Sequence, residues 1–301
     1  MKKLISLLTA VILAAACLTA CSSSGTATTA APTTAPATTT AKATTEATTV
    51  ATTTAAPVEL IVFAAASMTE TLNEIASMYT AAHPNVTLAF NFDSSGTLKT
   101  QIQAGAACDL FISAGQKQMN QMDKTADAAV NTEGLDLVLQ GTRINLLENK
   151  VVLVVPKTNP KNIKSFDDMA AGLTTGSILM AMGNSDVPVG QYTQKILTYY
   201  KLDEAKLASS GVLSYGTNVK EVTTQVSQGT VDCGVVYYTD ALSAGLTNVA
   251  EATKEMCGQA IYPAAVINTT THKADAQAFL DYLTTDAAMA VFTKAGFNAV
   301  A

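Results

Sequence analysis

The sequence predicts an α/β protein with two lobes, and three observations support this prediction. From residue 58 onward, short apolar runs alternate with amphipathic helical patterns, which is typical of sheets with mainly parallel strands. The region 58–301 is longer than one hydrophobic core comfortably holds. Hydroxyl, amide and glycine residues follow several of the apolar runs, where the first turn of the next helix begins.

Apolar runs and amphipathic patterns define the elements of this alternation. We predict strands at 59–65, 86–92, 110–113, 151–156, 177–182, 231–238 and 264–267. We predict helices at 68–82, 96–104, 189–200, 219–228 and 274–284. In the first of these helices the apolar stripe consists of Met68, Leu72, Ile75 and Tyr79.

The first 20 residues have the pattern of a lipoprotein signal peptide. Lys2 and Lys3 precede an uncharged apolar run at 4–20, which is somewhat short for a membrane span. The run ends in Leu-Thr-Ala-Cys at 18–21, so we predict cleavage before Cys21 and lipidation of its thiol. The alternative is an ordinary signal peptide cut at an Ala-x-Ala-like site. The protein is predicted to be extracytoplasmic and lipid-anchored to the cell membrane.

Residues 21–57 are almost entirely Thr, Ala, Ser and Pro. Such a segment cannot bury enough apolar area to offset the entropy of ordering it. We predict a disordered tether between the lipid anchor and the globular part.

The charge balance and residue counts exclude several classes of protein. The chain has 18 Lys and Arg against 24 Asp and Glu, a net charge of -6. It therefore lacks the positive field that gathers nucleic acids. With 2 His and no Trp, it has few groups for histidine-based catalysis. We predict neither an enzyme nor a cofactor.

Of the 5 cysteines, Cys17 leaves with the signal peptide and Cys21 carries the lipid. The others, Cys108, Cys233 and Cys257, cannot all pair with one another. Cys108 and Cys233 lie in strand-like runs, and we interpret the three as buried thiols rather than as a disulfide or metal site.

The junctions between strands and helices predict a ligand site. Ser67 and Glu70 form a capping-box pattern, Ser95 lies in a Ser-Ser-Gly junction, Pro188 suits a first helical turn, and Asn218 has the pattern of a cap. Each junction presents backbone N–H groups at the positive end of a helix dipole. Because α/β sheets bind ligands at the carboxyl ends of their strands, convergence of these junctions favours an anion.

Five motifs appear in order along the chain and carry a resemblance to a known family. They are FAAASMT at 63–69, FDSSGTL at 92–98, DLFISA at 109–114, VPVGQY at 187–192 and GVVYYTDA at 234–241. With them, the chain closely resembles the molybdate-binding proteins (ModA) of ABC importers, from about residue 59 to 297. The resemblance implies the two-lobed type 2 periplasmic-binding-protein fold, with the ligand in the interlobe cleft.

The resemblance also implies which residues bind the oxyanion. Ser67 and Ser95 would donate hydroxyl and backbone hydrogen bonds, Val189 and Val219 would donate backbone N–H groups, and Tyr237 would donate its phenolic O–H. Two positions depart from the family pattern. The position of Val189 is commonly alanine, and a glycine stands at position 96 where a third serine often occurs.

The chemistry of the ligand agrees with such a site. Molybdate and tungstate are fully ionised dianions near neutral pH, so a site for them needs only donors. Phosphate keeps a proton in that range and needs an acceptor carboxylate. Discrimination against sulfate, which is also fully ionised, must then depend on the size of the cavity.

By the family pattern the chain leaves the first lobe near Asn149 and returns near Tyr262. This assigns 58–148 and 262–301 to one lobe and 149–261 to the other. Binding is then expected to close the cleft, and a membrane permease would recognise the closed form. The chain has no Gly-x-x-x-x-Gly-Lys-Ser/Thr loop, so ATP hydrolysis would belong to other subunits. We predict a monomer that meets the membrane only through its lipid.

Other receptors on the same fold remain open at this point. A sulfate or phosphate receptor would be favoured if Asp93 or Asp186 accepted a proton from the ligand. A ferric-ion receptor is suggested by the adjacent Tyr237 and Tyr238, although alternate strand residues face opposite sides.

A serine hydrolase is an alternative from a different class. It would need a base beside Ser67 or Ser95. His83 lies in a predicted loop and His272 follows a run of threonines, so we interpret both as surface residues.

Overall fold

The computed structural model describes residues 56–300. The predicted signal peptide at 1–20, the predicted lipidation site Cys21 and nearly all of the predicted tether lie outside the described residues. Within the described range, no helix is long and apolar enough to cross a membrane.

The strands form two separate five-stranded sheets. In chain order they are β1 (Val58–Ala65), β2 (Val86–Asp93), β3 (Leu110–Ile112), β4 (Ile144–Asn149), β5 (Val151–Val155), β6 (Met180–Gly183), β7 (Leu213–Gly216), β8 (Cys233–Tyr237), β9 (Thr247–Glu251) and β10 (Ala260–Val266). The first sheet has the order β2-β1-β3-β10-β4 and the second the order β7-β6-β8-β5-β9. We call the parts of the chain built on them the first lobe and the second lobe.

Helices pack against both sheets. They are α1 (Thr69–Ala82), α2 (Ser95–Gln103), α3 (Gln116–Asn120), α4 (Phe166–Thr175), α5 (Pro188–Tyr199), α6 (Glu204–Ser209), α7 (Val219–Ser227), α8 (Tyr238–Ser243), α9 (Lys254–Cys257), α10 (Lys273–Leu283) and α11 (Asp286–Lys294). A 3₁₀ turn, Ala66–Met68, precedes α1. In α7 the buried positions Val219, Val222 and Val226 recur at helical spacing, which places one apolar face on the second sheet.

Each sheet combines parallel and antiparallel pairs. β1 runs parallel to β2 and β3, and β6 runs parallel to β7 and β8. β10 pairs antiparallel with β3 and β4, and β5 pairs antiparallel with β8 and β9. Because β1, β2, β6 and β7 feed into helices, their carboxyl ends lie beside helix starts, as the alternation of apolar runs predicts.

The chain crosses between the lobes at two places. It passes from β4 to β5 through the single residue Lys150, and it returns after β9 through α9 to β10. Asn149 pairs with Ala260 in the first sheet. The predicted boundaries after residues 148 and 261 fall inside β4 and β10, and the assignment of whole lobes by these boundaries stays a prediction.

The two-lobed α/β fold is confirmed, and every predicted strand and helix overlaps an observed one. β10 begins four residues before the prediction, because the apolar run continues through Tyr262 and Pro263. The sequence analysis missed β4, β7, β9 and six of the helices. β9 is an edge strand with several exposed residues, so it lacks the apolar run that marks a buried strand.

The three cysteines of the globular part are free and buried. Burial raises the pKa of the Cys108 thiol to about 12 and that of Cys233 to about 12. They remain neutral apolar side chains at physiological pH, and the prediction of buried thiols is confirmed.

Candidate functional site

A small cavity lies between the two lobes, where strands end and helices begin. The first lobe contributes Ala65, Ala66, Ser67, Asp93, Ser94, Ser95 and Ala114 to its wall, and the second contributes Val187, Pro188, Val219 and Tyr237. The volume open to the centre of a water-sized sphere is about 10 Å³. This is about the volume that one water molecule needs, so a ligand here has to be small.

Four of the five predicted binding residues come together in this wall. Ser67, Ser95, Val219 and Tyr237 line the cavity, although they lie far apart along the chain. Val189 is fully buried in the first turn of α5 and is not among the lining residues, whereas its neighbour Pro188 is. Contact of these residues with a ligand stays a prediction.

Three helices begin at the cavity: α2, α5 and α7. Ser94 caps α2 by accepting a hydrogen bond from Thr97 N at 3.1 Å, and Asn218 caps α7 by accepting one from Glu221 N at 3.1 Å. Pro188 occupies the first turn of α5, as its position after the predicted strand indicates. The other backbone N–H groups in the first turns of these helices have no acceptor inside their helices. Together they form a positive rim around the cavity.

The predicted capping box at Ser67 and Glu70 is wrong. The 3₁₀ turn Ala66–Met68 precedes α1, and neither of these two helical segments has a side-chain cap. The hydroxyl of Ser67 instead lies 2.9 Å from the hydroxyl of Tyr262. Ser67 is therefore available to a site rather than committed to a helix end.

A buried hydrogen-bond chain holds the hydroxyl of Ser67. The Asn149 side-chain amide donates to Thr239 Oγ1 at 2.9 Å and to Tyr262 Oη at 3.2 Å. Since Tyr262 accepts from Asn149, its own proton is free for Ser67 Oγ. Either hydroxyl can be the donor of this bond. When Tyr262 donates to Ser67, the O–H of Ser67 is left to donate into the cavity.

Ser95 has a similar arrangement. Its hydroxyl oxygen accepts a hydrogen bond from Ala114 N at 2.9 Å, and the side chain is fully buried. The oxygen is thus fixed by a backbone donor, while the hydroxyl proton has no acceptor in this contact. The hydroxyl proton of Ser95 is thus left to donate into the cavity.

Tyr237 joins the two lobes across the cavity. Its hydroxyl donates to the carbonyl oxygen of Ala114 at 3.0 Å, and the side chain is buried. Burial raises the pKa of Tyr237 well above its usual value, so the phenol stays neutral. For this proton to reach a ligand, the hydroxyl has to turn away from Ala114.

The predicted site contains only hydrogen-bond donors, but Asp93 adds an acceptor to the wall of the cavity. Its carboxylate lines the cavity, with Oδ1 accepting from Ser94 N at 2.7 Å and from the Asn218 side-chain amide at 3.5 Å. Two N–H groups therefore already occupy one carboxylate oxygen. Asp186, the other carboxylate weighed as a proton acceptor, is not among the lining residues.

Gly96 explains one departure from the family pattern. A Cβ atom at this position would collide with the backbone carbonyl of Asp186, which belongs to the second lobe. The start of α2 and the loop before α5 approach each other too closely for a side chain. A serine at position 96 would hold the lobes apart.

A charged cluster lies beside the cavity. Lys220 Nζ is 2.9 Å from both carboxylate oxygens of Glu70 and 3.3 Å from Oδ1 of Asp240. Asp240 is fully buried, and its contact with Lys220 is an ion pair without hydrogen-bond geometry, since neither carboxylate oxygen has a hydrogen-bond partner among the described residues. Burial raises the pKa of Asp240 to about 6, although the Lys220 charge opposes this. The Glu70 charge adds to the rise.

The two histidines weighed as catalytic bases, and Tyr238, are not among the residues that line the cavity. His83 stacks on Tyr79 with ring centroids 4.3 Å apart, and His272 precedes α10. Tyr238 begins α8 and is not among the lining residues. Within residues 56–300 no group of three or more His, Cys, Asp or Glu side chains could hold a metal ion.

Comparison with known proteins assigns the family. Residues 60–298 match the model of the bacterial extracellular solute-binding protein family. The chain is a member of this family of solute-binding proteins.

Individual relatives narrow the comparison. The chain is 36% identical over 245 residues to YvgL of Bacillus subtilis, which its name proposes as a substrate-binding lipoprotein of an ABC transporter, with 80% of this chain and 87% of YvgL covered. It is 32% identical over 251 residues to the molybdate-binding protein ModA of Haemophilus influenzae, with 81% and 92% covered. The periplasmic molybdate-binding protein of Azotobacter vinelandii has the same fold, with a TM-score of 0.67 at 22% identity over 80% of this chain and all of the other.

We predict that Gly96→Ser weakens oxyanion binding at least about tenfold, which corresponds to about 1.4 kcal/mol. The added side chain collides with the second lobe, so the closed cleft is destabilised while the lobes themselves are not. Affinity by calorimetry and the melting temperature of the unliganded protein test this expectation.

Gly172→Ala is a matched control, because its Cβ would press on Ile178 within the second lobe. It should lower the melting temperature and leave the affinity nearly unchanged. If Gly96→Ser bound the anion as tightly as the unchanged protein does, the two lobes would not close at this contact.

We predict that burial of Asp240 makes stability fall as pH rises from about 4 to about 6. The pKa of this carboxyl is about 6 in the folded protein against an ordinary 3.8. Below 3.8 the group is protonated in both the folded and unfolded states, and above 6 it is ionised in both. Between these values only the unfolded state loses the proton, so the free energy of unfolding falls by about 3 kcal/mol.

Asp240→Asn removes this titration. Urea unfolding at pH 4, 5, 6 and 7 should show that the variant gains stability relative to the unchanged protein as pH rises. A constant difference between the two proteins across this range would contradict the shifted pKa. The groups that face Asp240 are Lys220, Glu70, Tyr237 and Tyr262, and the variant leaves all four in place.

Proposed function

We propose that this solute-binding protein captures molybdate, and also tungstate, for an ABC importer. The observation that carries the proposal is the convergence of three helix starts and two serine hydroxyls on one small cavity between the lobes. Helix starts favour anions, and neutral donors on rigid elements stabilise a dianion without a mobile counter-ion.

The proposed ligand contacts follow the polarity of the hydrogen bonds. Ser67 and Ser95 donate hydroxyl protons in this proposal. Ser95 Oγ already accepts from Ala114 N, and Ser67 Oγ can accept from Tyr262. Val189 and Val219 donate backbone N–H groups from the first turns of α5 and α7. Tyr237 closes the wall and donates its phenolic proton once the hydroxyl turns from Ala114.

The proposed place of action is the outer face of the cell membrane. Lipidation of Cys21 would anchor the chain, the tether at 21–57 would carry the lobes, and permease subunits would receive the ligand from the closed form. In this role the protein is a monomeric carrier without catalysis or cofactor. The name of YvgL as a lipoprotein and the molybdate-binding names of other relatives support this proposal.

A second candidate ligand is hydrogen phosphate, and Asp93 is the observation that favours it. A carboxylate in the cavity wall repels a dianion but accepts a proton from a protonated oxyanion. Oδ1 of Asp93 already accepts from two N–H groups, so Oδ2 is the oxygen left for a ligand proton. We favour molybdate because several relatives are named as molybdate-binding proteins.

We predict that molybdate and tungstate stabilise the purified protein far more than sulfate or phosphate at equal concentration. A ligand at one thousand times its Kd adds about 4 kcal/mol, which corresponds to roughly 10 °C in melting temperature for a protein of this size. Thermal shift and calorimetry with these anions and with ferric ion measure this. A larger shift with phosphate than with molybdate would assign the site to a protonated oxyanion.

We predict that Ser95→Ala and Val219→Ala separate side-chain donors from backbone donors. Loss of the Ser95 hydroxyl removes a charge-assisted hydrogen bond worth about 1.5 to 3 kcal/mol, roughly a tenfold to hundredfold loss of molybdate affinity. Val219→Ala keeps the backbone N–H and should keep most of the affinity. Calorimetry on both variants decides between the two kinds of donor.

Ser94→Ala is the matched control for Ser95→Ala. Ser94 is the cap of α2, so its loss should cost about 1 kcal/mol of stability and much less affinity than the loss of Ser95. If Ser95→Ala melted earlier but bound molybdate normally, Ser95 would act only through its bond to Ala114.

We predict that Cys21→Ala leaves the protein without its lipid anchor or unprocessed. The substitution removes the thiol that would accept the lipid. Fractionation of cells into membrane and soluble material measures the result. Membrane partitioning equal to that of the unchanged protein would mean that another segment holds the chain to the membrane.

A further inference from the structure

The first turn of α7 is held from both sides by acidic residues of the first lobe. Val219 lines the cavity, and its neighbours Asn218 and Lys220 both reach across the cleft. Asn218 contacts Asp93 at 3.5 Å, and Lys220 contacts both oxygens of Glu70 at 2.9 Å. The backbone donor of Val219 therefore lies between two interlobe contacts.

The orientation of Asn218 is fixed by its role as a cap. Its side-chain oxygen accepts from Glu221 N at 3.1 Å, which leaves the side-chain nitrogen to face Asp93. Lys220 is fixed within its own lobe by Asp240 at 3.3 Å. Both side chains are therefore already positioned before the first lobe meets them, which lowers the entropy cost of the contact.

Glu70 has no evident role in binding an anion directly. It is a carboxylate, it is not among the residues that line the cavity, and its side chain is 55% exposed. Its contact with Lys220 spans 150 residues of sequence and joins α1 of the first lobe to α7 of the second. An ion pair with this geometry forms only when the lobes are close together.

We propose that Glu70 is a positioning residue for oxyanion binding: by pairing with Lys220 in the closed cleft, it holds the start of α7 so that Val219 N–H faces the ligand. This inference rests on the proposed function. Asp93 contacts the first turn of α7 on its other side, but Asp93 also lines the cavity.

The expected effect is modest, because the pair is partly exposed. Side chains that are 32% and 55% exposed form ion pairs that water and salt screen. Glu70→Gln should therefore accelerate molybdate release about twofold to fivefold at low salt. The difference should vanish near 1 M salt, where screening is effective within a few ångströms.

The matched control is Glu74→Gln. Glu74 lies one turn further along α1, carries the same charge and pairs with Lys294 of its own lobe at 3.5 Å. Release of molybdate from the full chain can be followed by stopped-flow tyrosine fluorescence, since the chain has 9 Tyr and no Trp. Faster, salt-sensitive release from Glu70→Gln alone supports the proposal. Equal rates for the unchanged protein and both variants would overturn it.

A second measurement does not depend on the identity of the ligand. Spin labels at Ser77→Cys in α1 and Ser227→Cys in α7 report the separation of the lobes, and the three cysteines among the described residues are buried. Without ligand, Glu70→Gln should populate longer distances than Glu74→Gln, and identical distance distributions would overturn the proposal. If molybdate neither binds nor shortens the distance in the unchanged protein, the proposed function fails, while this comparison still decides the role of Glu70.

Discussion

The buried hydrogen-bond chain from Asn149 through Tyr262 to Ser67 is the interaction on which the rest of the site depends. Asn149 ends β4 at one crossing between the lobes, and Tyr262 lies in β10 at the other. Both side chains are buried, so each polar group needs its partner. The same bonds that satisfy the crossing strands also hold the hydroxyl of Ser67 at the cavity. The two crossings between the lobes and the wall of the cavity thus share one hydrogen-bond network.

Charge around the cavity is arranged against the proposed ligand, and this explains why neutral donors carry the site. Asp93, Glu70 and Asp240 are acidic, while Lys220 is the cation of the cluster. Lys220 lies between two carboxylates, so its charge is already largely compensated. Attraction for a dianion then has to come from helix starts and hydroxyl groups.

Local sequence patterns predict the parts of the site that depend on neighbouring residues. The apolar stripes predict α1 and α7 to within one residue, and the polar junctions predict Ser95 and Val219 as residues near helix starts. The same logic fails at Ser67, because its partner Tyr262 lies 195 residues away and no local pattern records that contact. Asn149 and the Glu70–Lys220 pair were missed for the same reason. Pairings between lobes depend on tertiary approach, which composition and periodicity do not encode.

The division of donors between the lobes links affinity to closure. A ligand shifts the cleft toward its closed form only by the difference between its affinities for the two forms. In the proposed site, Ser67 and Ser95 on one lobe and the start of α7 on the other would meet a ligand together only when the lobes are in contact. Gly96 permits that contact by leaving room for the Asp186 carbonyl. The size of the side chain at position 96 therefore limits how closely the lobes can approach, and so how much closure adds to the affinity. Gly96 itself need not touch the ligand.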